Sequence, residues 1–323
     1  MASGSDITAD GLTTMTQVVA GTDLVDADDF NNARTNVDKL MGTAYDVTLG
    51  TYDPTFSYGW GVGGAGVSAA TAGNTVQDTG AGGFADLQDD VQAMCAFLGV
   101  TVRSGVETDV TTSDTITAAT WNNLMLNIKD CWDNRFSPTS KTASTDASTT
   151  RTTAWTNTLT QETTWTFASE TDCRRFFNGG GAVGVSASRS GGGTNTQNTQ
   201  WTTKLSNIGD VWLYHDNTVA GAGTPDGIGF YELTTSYQQL VIYYGGTSPY
   251  SNDYIQVSAK VNSTTNPTVV TIRTILLDDG DNVIDASPDG TLTINARRYQ
   301  PDASGSGFSF PVPTDSQGAI SGS

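Results

Sequence analysis

The side chains able to carry chemistry in this 323-residue chain are few, and no familiar spacing gathers them. His215 is the one histidine, in Tyr214-His215-Asp216, so neither a His-based nucleophile triad nor a His-rich metal cluster can be assembled. Carboxylates are plentiful: Asp28-Asp29, and Asp278-Asp279 with Asp281. A glycan-cleaving pair needs one acid in an apolar setting beside an ionised partner, and sequence spacing does not test that condition. Asp278-Asp279-Gly280-Asp281-Asn282 resembles a calcium loop loosely. Its glycine is misplaced and Asp289 stands where a bidentate Glu belongs, so the stretch reads as a hairpin turn. Cys95, Cys131 and Cys173 are odd in number and widely spaced, which argues against a disulfide framework and a zinc site. Cys95 and Cys131 fall on apolar helical positions, as buried thiols made in a reducing compartment would. The expectation is a protein without catalysis, cofactor or bound metal.

Aromatic residues near turns are the next candidates. Tyr243-Tyr244-Gly245-Gly246 and Tyr250-Ser251-Asn252-Asp253-Tyr254 combine ring faces, amides and carboxylates. Such a set suits sugar binding, and it suits packing between subunits, the preferred reading. Tyr243, Tyr244, Tyr250 and Tyr254 are therefore interface candidates. Arg174-Arg175-Phe176-Phe177-Asn178-Gly179-Gly180-Gly181 is another. Its phenylalanines supply apolar area, its arginines pair with carboxylates, and its glycines permit close approach of another segment. It reads as a packed strand, a tight turn and a second strand carrying Val183, Val185 and Ala187. A phosphate cradle is disfavoured, because no Lys-Ser/Thr pair follows the glycines.

Helical periodicity organises the first part of the chain. Asp26 is an N-cap with Asp29 in a capping-box position, and Phe30, Ala33, Val37, Leu40 and Met41 share a face that Gly42 ends. A second helix runs from Phe84 to Leu98 with Leu87, Val91, Met94 and Cys95 apolar. A third starts after Thr117 and faces Trp121, Leu124, Ile128, Cys131 and Trp132 inward. The first and third resemble copies at an offset of 91 residues: Val25-Asp26-Ala27 over Ile116-Thr117-Ala118, Phe30-Asn31-Asn32 over Trp121-Asn122-Asn123, Val37 over Ile128. Phe30, Val37, Trp121 and Ile128 are expected to be buried in equivalent settings, either within one bundle or between copies in an oligomer. Later segments alternate as strands, at 165–167, 184–188, 211–214, 228–233, 239–244, 254–261, 268–277 and 291–298, with a short helix at 197–208. The domain expectation is an arm at 1–24, a helical region at 25–136 with a Gly/Ala-rich loop, a Ser/Thr-rich linker at 137–160, a β-sandwich at 161–300 and an extended tail at 301–323. The fold class is α+β: an N-terminal helical attachment region followed by a mainly antiparallel β-sandwich.

Composition narrows the class. Hydrophobic residues make up 37% and charged ones 15%, with a net charge of −19. Disordered chains carry more charge and fewer aromatics, while an acidic surface opposes phosphate, so nucleic acid is not an expected partner. The start of the chain lacks a basic, apolar leader and no apolar run spans a membrane. Arg174 to Gly181, then Ser186-Ala187-Ser188-Arg189, Asn198-Thr199-Gln200-Trp201, Gly229-Phe230-Tyr231-Glu232-Leu233 and Ser251-Asn252-Asp253-Tyr254 together resemble a module of virion structural proteins from tailed bacteriophages, marine ones especially. The resemblance covers about residues 163–277 and implies a non-enzymatic tail, baseplate or fibre component of the virion. Its partners would be copies of itself and other virion proteins, with a host-surface glycan as the alternative. Family members often have a His after the acidic turn; Asp278-Asp279-Gly280 lacks it.

Overall fold

The computed structural model describes residues 5–21, 23–42, 49–50, 59–62, 67–72, 83–111, 113–138, 141–279, 287–301 and 307–322. Most of the Gly/Ala-rich loop, including Tyr58, and the turn at 280–286 lie outside these residues. Asp6–Ile7 (β1) and Met15–Thr16 (β2) pair as a small antiparallel ribbon. Its Ile7 and Met15, with nearby Val18, are buried against the helices, so the expected arm belongs to the helical core. Ala27–Met41 (α1), Phe84–Leu98 (α2) and Ala118–Asp133 (α3) follow. Asp26 accepts from the backbone N–H groups of Asp28 and Asp29, and Asp29 Oδ2 accepts from Asp26 N, completing the capping box.

The repeat has three members. Phe30, Ala33, Val37, Leu40 and Met41 of α1 match Phe84, Leu87, Val91, Met94 and Cys95 of α2, and Trp121, Leu124, Ile128, Cys131 and Trp132 of α3; all are buried. Side-chain amides close the three into a ring. Asn122 of α3 grips Val18 ahead of α1 through its N–H and carbonyl at 2.8 and 3.0 Å. Asn31 of α1 grips Ala70, ahead of α2, at the same distances. Gln88 of α2 accepts from Val110 N, ahead of α3, at 2.9 Å. Each of α1 and α3 also holds its own leading segment: Asn36 clamps Thr13, and Asn127 accepts from Arg103 N and donates to Thr101 O. Asn36, Gln88 and Asn127 are buried, and paired buried amides fix the register of a core in a way that apolar contacts alone do not.

The rest is two antiparallel sheets facing each other in a sandwich-like arrangement over a common core. Lys141–Arg151 (β3) replaces the expected linker: it pairs along its length with the late strand. Thr158–Thr166 (β4) leads to Glu170–Asn178 (α4), Ala182–Ser190 (β5) and Thr196–Ile208 (α5). Asp210–Leu213 (β6), Thr218–Val219 (β7) and Thr224–Pro225 (β8) are short. The strand expected at 228–233 is instead a single 3-10 turn, Phe230–Glu232, burying Phe230 and Tyr231. Gln238–Tyr243 (β9), Tyr254–Val261 (β10), Val269–Leu277 (β11) and Thr291–Pro301 (β12) complete the main strands. Thr314–Gln317 (β13) and Ser321–Gly322 (β14) both pair with β4. One sheet has the order β3-β12-β5-β6-β7; the other runs β13-β4-β11-β10-β9-β8, with β14 beside β13 on β4.

The helical and sheet cores are joined by three passages of the chain. Leu49 lies in the sheet core, between Met41 and Trp60 of the helical core. Residues 134–141 lead from α3 to β3. The tail then returns: Phe310 stacks on Phe97 of α2 at 4.9 Å before β13 joins the sheet. The expected extended tail is therefore a strap across both cores.

Candidate interaction surface

The residues marked in Arg174 to Gly181 form a junction inside the chain. Ser169 caps α4 by accepting from Asp172 N, Glu170 and Asp172 fill the first turn, and Cys173, Phe176 and Phe177 bury one face. The stretch is a helix, not the strand expected, because this cap and its i, i+3, i+4 apolar spacing outweigh the β preference of phenylalanine. Phe177 stacks on Phe230 at 4.1 Å. Arg174 is buried, donates to Glu170 Oε1 at 2.7 Å and lies over Tyr231. Arg175 donates to Ser309 O and lies over Phe310. Asn178 donates to Gly59 O at 2.7 Å and accepts from Tyr231 Oη at 2.8 Å. Gly179 admits the Phe310 ring, which any Cβ would overlap, and Gly180 sits at φ +82° against Pro138. Phe176 and Phe177 are thus consumed by this chain's own core and are not offered to a neighbour.

The tyrosine corner divides similarly. Tyr250 is buried; its carbonyl, with that of Asp253, accepts from the fully buried Lys204 ammonium at 3.0 and 2.9 Å. Burial pushes the Lys204 pKa down, and the Asp253 carboxylate 3.5 Å away opposes that shift. Asp278 accepts from Gln197 Nε2 at 2.7 Å in the same buried cluster. Tyr243 Oη accepts from Asn207 Nδ2. Tyr244 remains 50% exposed, edge-on to Tyr254, near a shallow hollow formed by Thr199, Gln200, Thr203 and Gly245 to Thr247. His215 stacks on Phe136 at 3.5 Å, and burial lowers its pKa to about 3, so the ring is neutral at ordinary pH. Among the described residues, no three His, Cys, Asp or Glu side chains gather to hold a metal, and no helix is long and apolar enough to cross a membrane.

Among the described residues, most of the exposed large apolar side chains lie elsewhere, at the N-terminal ends of the helices. Val25 and Ile116 precede the N-caps of α1 and α3, where a hydrophobic staple folds back onto the fourth helical residue, here Phe30 and Trp121. Both staples line one groove of about 590 Å³, with Val18, Leu24 and Phe84 in its walls. Leu24 is 91% exposed, and Val19, Val25 and Ile116 are exposed beside it; these are four of the seven exposed large apolar residues among those described. Phe30 and Trp121, expected as buried repeat partners, are buried and form its floor, while Val37 and Ile128 lie deeper in the helical core. The sequence aligned Val25 with Ile116 yet gave no sign that both stay uncovered. That depended on the ring closure that brings α1 and α3 together. No family model, curated protein or solved structure matches this chain.

Proposed function

We propose that this chain is a non-enzymatic structural component of a tailed-phage virion, of the tail, baseplate or fibre, that works by subunit assembly. The observation that carries the assembly reading is the groove between the two staples. An apolar floor with a nearly fully exposed leucine on its lip is a surface that gains from a neighbouring subunit, at about 25 cal/mol per Å² covered. The virion reading rests on the resemblance around residues 163–277. Wild-type protein is expected to associate with rising concentration in sedimentation velocity. The variant Leu24→Asp should remain monomeric with an unchanged melting curve, since that side chain is 91% exposed. A wild-type chain monomeric at every concentration, and not retained on particles, would overturn the assembly reading.

A glycan-binding reading has one observation in its favour. Tyr244 is exposed and directly precedes Gly245 to Thr247, which share a hollow with Thr199, Gln200 and Thr203; a ring beside such polar groups is a set that fits a sugar face. Glycan-array binding lost in Tyr244→Ala would establish it.

A further inference from the structure

We infer that Cys95 and Cys131 are a built-in cross-linking site, the two halves of one disulfide that joins α2 to α3. Their sulfurs lie 3.6 Å apart, both side chains are fully buried, and each sits in the last turn of its helix. A bond of about 2.0 Å needs a further side-chain rotation but no new neighbour. The pairing is unambiguous: Cys173, the third thiol, is buried in the sheet core while these two belong to the helical core. The odd cysteine count hid this pair in the sequence. In the folded state the pair is protected, because the thiol of Cys131 is pushed up by its hydrogen bond with Cys95 and by burial, which keeps the nucleophilic thiolate scarce.

The chemistry is thiol–disulfide exchange with a small disulfide such as oxidised glutathione. One cysteine thiolate attacks the small disulfide, giving a mixed disulfide and one released small thiol. The second cysteine thiolate then attacks the protein sulfur of that adduct and releases the second small thiol. Two protein thiols are oxidised, one small disulfide is reduced to two thiols, and the protons pass to solvent and the released thiolates. Access requires the helix ends to part, as in local opening or during folding. The product closes a loop across 36 positions of sequence and pins the C-terminal ends of two members of the ring.

The test is refolding of the full chain in a glutathione redox buffer, followed by non-reducing peptide mapping. The expected product has lost two of its three free thiols, weighs two hydrogens less, and yields one linked Cys95–Cys131 peptide. Amide exchange in α2 and α3 should slow, and reducing agent should reverse it. Cys173→Ser should keep the link and Cys131→Ser should abolish it; the wild-type map decides even where a variant fails to fold. Three free thiols after refolding, stable glutathione adducts on Cys95 or Cys131, or a link to Cys173 would each overturn the inference.

Discussion

Asp90 is the residue that breaks the pattern of the ring. It occupies in α2 the place of Asn36 in α1 and Asn127 in α3, but a carboxylate cannot donate as an amide does. Its Oδ2 is buried without a hydrogen-bond partner. Burial, then Asp86, Asp89 and Asp38, push its pKa up to about 6 from 3.8. A folded value above the unfolded one means that stability from this group is complete below pH 3.8 and is lost as pH rises through about 6. Asp90→Asn should therefore stabilise the protein at neutral pH by on the order of 1 kcal/mol, a figure discounted for the group's partial exposure. In denaturant titrations the gain should vanish in acid; an equal gain at acid and neutral pH would contradict this account. At this scale the sequence was a good guide where the signal was local. The Asp26 capping box and the burial of Phe30 and Trp121 follow from spacing alone. The amide clamps of Asn31, Asn36, Asn122 and Asn127 were not legible, because their partners are backbone groups up to 104 residues away.

At the scale of elements, pairing and packing partners decide where local sequence is ambiguous. The strand β3 has no apolar alternation because it lies at a sheet edge with both faces part-exposed. Its Thr and Ser content suits a strand as well as a linker, and only its pairing with β12 decides. The third repeat was present in the spacing of Phe84, Leu87 and Val91, yet α2 lacks the Asn-Asn pair that marks its siblings. The tail, rich in Ser, Gly and Pro, is held against the helical core by two rings. Phe308 lies 5.7 Å from Trp60 and Phe310 stacks on Phe97. Phe310→Ala should cost about 3 kcal/mol, the low end for truncating a buried ring, because the site is at a boundary. Limited proteolysis should then cut first within the tail, and an unchanged cleavage pattern would show that the strap holds without its ring.

For the whole molecule, charge and architecture act independently. With a net charge of −19, the surface repels phosphate across a screening length of about 8–10 Å. Gel-shift assays on duplex DNA at moderate salt should show no complex; a complex that weakens as salt is added would refute this. Architecture matters in another way. A single covalent link between two cores leaves a swivel, free to twist until one segment goes taut. Here the chain crosses between helical and sheet cores at Leu49, at 134–141 and at Phe310. Three separate ties restrain that twist more than one would, so a load applied at the helix ends reaches the sheets by more than one route.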